Sequence, residues 1–207
     1  MTIIDRDLTA GEVRTGTRMT EEEFERWALR ERARAEWVNG EVQIMSPANI
    51  DHWDIGVWLT TLMRLFADKY ELGKVGNAEL LVRLENRRSL PDVVFVAKAH
   101  LSRLKRTYLE GPADLIVEIV SPDSQSRDWR EKYLAYEMGG VSEYWIIDPA
   151  SSTAEFYHLE NGRYARMPVT DGVIRSIEVP GFWINVDWLW DQPLRSGYEI
   201  AKTIGII

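Results

Sequence analysis

Leu115-Ile116-Val117-Glu118-Ile119-Val120 is apolar at every position but one. So short a run of β-formers with almost no alternation marks a strand covered on both faces, the pattern of a sheet with helices on either side. Val93-Val94-Phe95-Val96 repeats the pattern, with Asp92 at its head. Beyond Ser121-Pro122 the texture turns helical over about residues 125–138 and stops at Gly139-Gly140. A further strand then runs over 143–147, ended by Asp148-Pro149. On the N-terminal side, Thr20 and Glu23 form a capping box ahead of Phe24, Trp27 and Ala28, which predicts a helix over about 21–32. Residues 36–38 and 41–45 flank Asn39-Gly40, the pair that a type I′ turn favours, so a β-hairpin follows. Asp51 is placed to cap a second helix whose Trp58, Leu62, Leu65 and Phe66 recur at helical spacing, ending near Tyr70. Residues 79–84 read as a strand, with Asn86-Arg87-Arg88-Ser89 and a basic stretch up to Gly111-Pro112 as dividers. On the C-terminal side, 155–159 and 163–167 flank Asn161-Gly162 as a second hairpin, 174–179 add a strand and 187–190 a short helix. Residues 1–18 lack periodicity and read as a loose arm, and 19–207 as a single domain with no linker-like interruption. The result is a mixed α/β core with a β-rich C-terminal part.

Composition narrows the chemistry. Of the 207 residues, 45% are hydrophobic and 28% charged, the balance of a soluble globular chain. No run of about 18 apolar residues occurs. The opening MTIIDRDLTAGEVRTG carries charges where a signal peptide needs an apolar centre, so a cytoplasmic protein with no membrane partner is expected. With no cysteine, disulfides, thiolate nucleophiles and Cys-bearing metal sites are excluded, leaving oxygen ligands and three histidines for any metal. The net charge of −8 argues against non-specific coating of nucleic acid. Between Arg83 and Tyr108, however, seven basic residues stand against two acidic ones, a local surplus suited to a polyanion contact or to a plain solvated loop.

Phosphate-binding loops, dinucleotide glycine fingerprints, HExxH helices and nucleophile elbows are all absent. His52, His100 and His158 lie far apart, and only His52, on the second helix, falls where it could face a site. The acids carry more signal. A carboxylate in the middle of a buried run is costly unless paired, hydrogen-bonded or metal-bound. Asp128, Lys132 and Tyr136 share one face of the next helix at i, i+4 and i+8, from which Lys132 can turn back toward Asp92 and Glu118. Two acids and a lysine are the minimal kit for metal-dependent phosphodiester hydrolysis. The acids hold a hard cation that polarises the phosphate and acidifies a water, and the lysine orients the nucleophile or offsets transition-state charge. The plain alternative is a buried ion pair of Glu118 and Lys132 that specifies the fold without chemistry.

Four segments together resemble a known family. They are Pro91-Asp92, Ala113-Asp114 through Glu118 to Ser121-Pro122, Arg127-Asp128 to Lys132 and Tyr136, and Gly140-Val141-Ser142-Glu143-Tyr144-Trp145-Ile146-Ile147-Asp148-Pro149. The order and spacing are similar to those of the Uma-two family of restriction-endonuclease-like proteins, within the PD-(D/E)xK nuclease superfamily. The resemblance runs from about Met19 to Asp187 and takes in Glu36-Trp37-Val38-Asn39-Gly40-Glu41 and the Ser46-Pro47 to His52 junction. It implies a restriction-endonuclease-like mixed sheet flanked by helices, with added β-hairpins. It also implies Asp92 as the motif aspartate, Glu118 as the second metal-binding acid and Glu36 as an auxiliary ligand. The superfamily lysine is expected two residues after Glu118, where Val120 stands. The resemblance moves that role to Lys132.

The expectation is therefore a DNA endonuclease using Mg²⁺ or Mn²⁺, with Asp92, Glu118 and Lys132 at the reaction centre and Arg103, Lys105 and Arg106 on substrate phosphates. The rival is a nucleic-acid- or protein-binding module that keeps the fold with weak or no catalysis. Asp128 reads as a helix cap, and most of the nine tryptophans read as core. Trp183, Trp188 and Trp190, with Phe182 and the apolar end at 200–207, are candidates for a homodimer interface, and a dimer allows one cut per strand.

Overall fold

The computed structural model describes residues 12–47, 49–121 and 128–207. In chain order, α1 (Glu21–Glu31) leads into the hairpin of β1 (Ala35–Val38) and β2 (Glu41–Ile44), followed by α2 (Ile50–Lys69). Next come β3 (Gly73–Asn77), β4 (Leu81–Leu84), β5 (Arg87–Ser89), β6 (Val93–Ala97), a 3-10 turn at Lys98–Arg103, β7 (Tyr108–Glu110) and β8 (Leu115–Ile119). Helix α3 (Asp128–Gly139) precedes β9 (Glu143–Asp148), β10 (Thr153–Glu160), β11 (Arg163–Arg166), β12 (Val173–Arg175) and β13 (Trp183–Asn185). A 3-10 turn at Val186–Trp190 and α4 (Gly197–Thr203) close the chain.

The local signals act as expected. The Thr20 hydroxyl accepts from the Glu23 N–H, while the Thr20 N–H donates to the Glu23 carboxylate at 2.7 Å, closing the capping box. Asn39 and Gly40 both adopt positive φ, 50° and 90°, as the hairpin turn demands. Helix α2 starts two residues earlier than a cap at Asp51 allows. Its cap is Asn49, whose side chain accepts from the His52 N–H at 2.9 Å. The predicted helix start near 125 lies outside the described residues, as does the Asp128 side chain and its expected cap. Of the arm at 1–18, the described part runs along the hairpin. Gly16 donates to Val42, Val42 donates to Thr17, and Val13 is buried.

Six strands in the order β11-β10-β9-β8-β6-β3 form the main sheet, which is mixed because β8 and β9 run parallel while the other neighbours are antiparallel. The parallel step needs a crossover, and α3 supplies it. Alternation along β8 sends Leu115, Val117 and Ile119 into the core with α2 and α4, and turns Ile116 and Glu118 to the face beneath α3. A second sheet, β2-β1-β5-β4-β7, sets the N-terminal hairpin beside this second face, with Val38 of β1 opposite Arg87 of β5. Asn86-Arg87-Arg88-Ser89 is thus a turn only at its first residue; the other three form a strand, and all three are buried. The C-terminal aromatics expected at an interface lie in the chain's own core instead. Phe182 and Trp188 are buried there with Ile200, Ile204 and Ile206, and Trp183 and Trp190 pack against them. Among the described residues, no helix is long and apolar enough to cross a membrane.

At the far edge of the parallel pair, the fully buried Glu143 carboxylate accepts from Trp145 Nε1–H at 2.6 Å, the Ser176 hydroxyl at 3.0 Å and the Ile177 and Glu178 N–H groups at 2.9 and 2.7 Å. Glu143→Ala leaves four donors unsatisfied and is expected to cost about 3 kcal/mol or more, read as a lowered urea midpoint. A loss under about 1 kcal/mol would mean that water reaches these donors.

Candidate active site

Asp92 and Glu118 come together because β6 and β8 are antiparallel neighbours. Val93 lies opposite Val117, and continuing that register by one residue sets Asp92 opposite Glu118. Asp92 Oδ2 accepts from the Ile119 N–H at 2.7 Å, which holds the carboxylate against β8, and His52 Nε2 from the first turns of α2 lies 3.2 Å from the same oxygen. From above, α3 places Lys132 and Tyr136 on one face. Lys132 Nζ donates to Glu118 Oε2 at 2.9 Å and the Tyr136 hydroxyl donates to Glu118 Oε1 at 2.7 Å. Of the two acids it was expected to reach from the following helix, Lys132 contacts Glu118; its other carboxylate contact is Glu36, not Asp92.

The second sheet adds the remaining charges. Glu36 Oε1 lies 3.4 Å from Lys132 Nζ and accepts from the Leu90 N–H at 3.2 Å, while Oε2 accepts from Arg87 Nη2 at 2.7 Å. Arg87 Nε in turn donates to Ser89 Oγ at 2.7 Å. Glu36, Arg87, Glu118 and Lys132 are all buried.

Two carboxylates share one ammonium, yet they titrate in opposite directions. Burial alone would raise Glu36, but Lys132 and Arg87 outweigh it and hold the carboxyl down to about 2. Glu118 is pushed up to about 7 by burial, which together with the charges of Asp92 and Glu36 overcomes the pull of Lys132. Burial would lower Lys132, but Glu118 and Glu36 reverse this and keep the ammonium charged well above its ordinary range. At His52, burial is likewise outweighed, by the hydrogen bond and charge of Asp92, and the pKa rises.

The remaining predicted residues lie elsewhere. Arg103 Nη1 donates to the Pro112 carbonyl at 3.0 Å, Lys105 Nζ to the Ser102 carbonyl at 2.9 Å, and Arg106 is exposed. All three follow the C-terminal end of β6, whereas Asp92 precedes its N-terminal end. The basic surplus is neutralised in part by acids distant in sequence. Arg83 pairs with Glu25 and Glu110, Arg87 with Glu36, and Arg88 with Glu21 and Glu25. These arginines line a groove of about 1410 Å³ beside the cluster, between the β1-β2 hairpin and the exposed Leu134 and Met138 of α3.

Sequence reasoning missed Arg87 and Ser89, because three polar residues in a row carry no strand periodicity. The available signal was Glu36 in Ala35-Glu36-Trp37-Val38, an acid in an otherwise buried strand that requires a cation.

As to a metal, Mg²⁺ binds through one or two carboxylates together with waters and substrate oxygens, and the adjacent Asp92 and Glu118 meet that requirement. Asp92 keeps Oδ1 without a hydrogen-bond partner among the described residues, where no group of three His, Asp or Glu side chains surrounds a common point.

Residues 21–187 match the Uma2 family, described as "Putative restriction endonuclease". The chain belongs to this family. As an Uma2 member it is 25% identical over 144 residues to the uncharacterized protein slr1290 of Synechocystis sp., covering 68% of this chain and 74% of that one. Its fold is similar to a crystal structure titled as a putative nuclease belonging to DUF820 from Anabaena variabilis. That likeness has a TM-score of 0.64 at 16% identity, over 75% of this chain and 89% of the other. Family and fold together support a nuclease-type function.

The Glu36 shift has a definite sign. A carboxyl held below its unfolded value of about 4.5 contributes stability above that pH, and the contribution is lost as pH falls toward about 2. The unfolding free energies of wild type and Glu36→Gln are therefore expected to differ most near neutrality and to converge on acidification below pH 4.5. A gap independent of pH would show that Glu36 is not held in its charged form.

Proposed function

We propose that this Uma2 protein is a metal-dependent endonuclease that hydrolyses phosphodiester bonds in DNA. The observation that carries the reading is the arrival of Lys132 Nζ 2.9 Å from Glu118 Oε2, on the face where Asp92 stands opposite Glu118. A bare structural ion pair accounts for Glu118 and Lys132, but not for a second acid on the adjacent strand whose Oδ1 has no partner among the described residues.

Asp92 and Glu118 would hold a divalent cation, Mg²⁺ or Mn²⁺. When bound, the cation supplies charge to the phosphate oxygens and acidifies a water. Asp92 is oriented for this role by the Ile119 N–H and His52, and Glu118 by Tyr136 and Lys132. Lys132 brings a permanent positive charge and a proton donor to the place where negative charge develops on the phosphate. Glu118 must give up its proton before it can serve as a ligand. Two copies acting on opposite strands would make a double-strand cut. One observation favours a second reading, a binding module without catalysis: Arg83, Arg87 and Arg88 are committed to internal acids and are not free for phosphates.

Cleavage of supercoiled and single-stranded DNA with Mg²⁺, Mn²⁺ or EDTA tests the reading. Metal-dependent cutting is expected, falling by about 100-fold or more in Asp92→Ala, Glu118→Ala and Lys132→Ala. Cutting that survives all three substitutions overturns the site, and no cutting by the wild type favours the binding module. Mn²⁺ affinity, measured calorimetrically without DNA, should rise with pH and level off above about 7, the value to which Glu118 is pushed. An isotherm unchanged between acidic and alkaline buffers would remove Glu118 from the ligand set.

A further inference from the structure

Lys132 is carried by α3, whereas the carboxylates it must serve stand on the main sheet. A lysine two residues along β8 would be fixed by the strand itself. A side chain reaching across from another element, on a stem of four rotatable bonds, needs a second contact to hold one position. That contact is Glu36 Oε1, 3.4 Å from Lys132 Nζ on the side supplied by the second sheet.

We propose that Glu36 is the positioning residue for Lys132, itself fixed by Arg87, and not a ligand of the cation. The inference deepens the nuclease reading and rests on it for its chemistry. Three observations support it. Glu36 bridges two cations, with Oε2 taken by Arg87 and Oε1 by the Leu90 N–H and Lys132, whereas Glu118 has Lys132 as its one cationic contact among the described residues and stands opposite Asp92. Two cationic side chains touch this carboxylate, and a divalent ion placed there would meet their repulsion. The anchor is also rigid. Arg87 is locked by Ser89 Oγ at 2.7 Å and lies in a strand paired to β1, with Val38 opposite it, so β1 and β5 hold both partners of the pair. Of the two acids in contact with Lys132, Glu118 thus stands opposite Asp92, while Glu36 is tied to Arg87.

The test compares wild type, Glu36→Gln and Glu118→Gln in three measurements on the full chain: Mn²⁺ binding by calorimetry, DNA cleavage kinetics, and acylation of Lys132 by an N-hydroxysuccinimide ester followed by mass spectrometry. Glu36→Gln is expected to bind Mn²⁺ as wild type does and to lose about 10-fold or more in kcat, with KM changed less than about twofold. Its Lys132 should acylate about fivefold faster or more as the ammonium is released. Glu118→Gln should lose Mn²⁺ binding. Should Glu36→Gln unfold because Arg87 is left unpaired, the double variant Glu36→Leu/Arg87→Met replaces the pair by apolar groups and is read in the same way. Loss of Mn²⁺ affinity in the Glu36 variants to the degree seen in Glu118→Gln would make Glu36 a ligand and overturn the proposal, as would an unchanged acylation rate. If the wild type neither cuts DNA nor binds Mn²⁺, the nuclease reading falls, and the acylation rates still decide whether Glu36 holds Lys132.

Discussion

A lysine ammonium buried between two carboxylates forces four elements of this chain into register. Lys132 comes from α3, Glu118 from β8, Glu36 from β1, and the Arg87 that balances Glu36 from β5. Taking one such charge out of water costs several kcal/mol unless partners and hydrogen bonds compensate, so no member is tolerable in the absence of the others. Glu118 and Lys132 lie between α3 and the main sheet, Glu36 and Arg87 in the second sheet. Their contacts tie the two sheets at a defined distance, which a purely apolar seam would leave free to slide. Asp92 and His52 join at the edge, where burial is less complete.

The same arrangement breaks the symmetry between two chemically equivalent acids. Glu36 and Glu118 both touch Lys132, but Glu36 has a second cation and a backbone N–H, while Glu118 has a neutral phenol and a nearby carboxylate, Asp92. One acid is therefore held ionised far into the acid range and the other is poised to exchange a proton near neutrality. Pairs whose environments push their titrations apart are how proteins assign distinct roles to identical side chains.

Much of the architecture was legible because its signals are local. The capping box at Thr20 and Glu23, the Asn39-Gly40 and Asn161-Gly162 turns, and the nearly continuous apolar runs of β6, β8 and β9 each carry their own physics within a few residues. The i, i+4 spacing of Lys132 and Tyr136 correctly set both on the face that meets Glu118. Elements without local signal were missed. Arg87-Arg88-Ser89 forms a buried strand only because Glu21, Glu25 and Glu36 arrive from residues more than fifty positions earlier. Nothing in the tripeptide announces this. The cap of α2 was misplaced for a simpler reason, since Asn49 and Asp51 are both competent caps and only the backbone decides between them.

Counting charges in a window fails for the same reason. Arg83, Arg87 and Arg88 form a basic patch in sequence and an internal mortar in space, so they contribute little field to a passing polyanion. What stays exposed from the basic stretch, Lys98, Lys105 and Arg106, follows the C-terminal end of β6, whereas Asp92 precedes its N-terminal end. In the proposed nuclease, a substrate seated at Asp92 and Glu118 would find none of these cations in contact with either acid, whose partners among the described residues are Ile119, His52, Lys132 and Tyr136. On an acidic body, offsetting phosphate charge in that proposal would fall to the charges gathered around Glu118, among which Lys132 is the cation in direct contact with it.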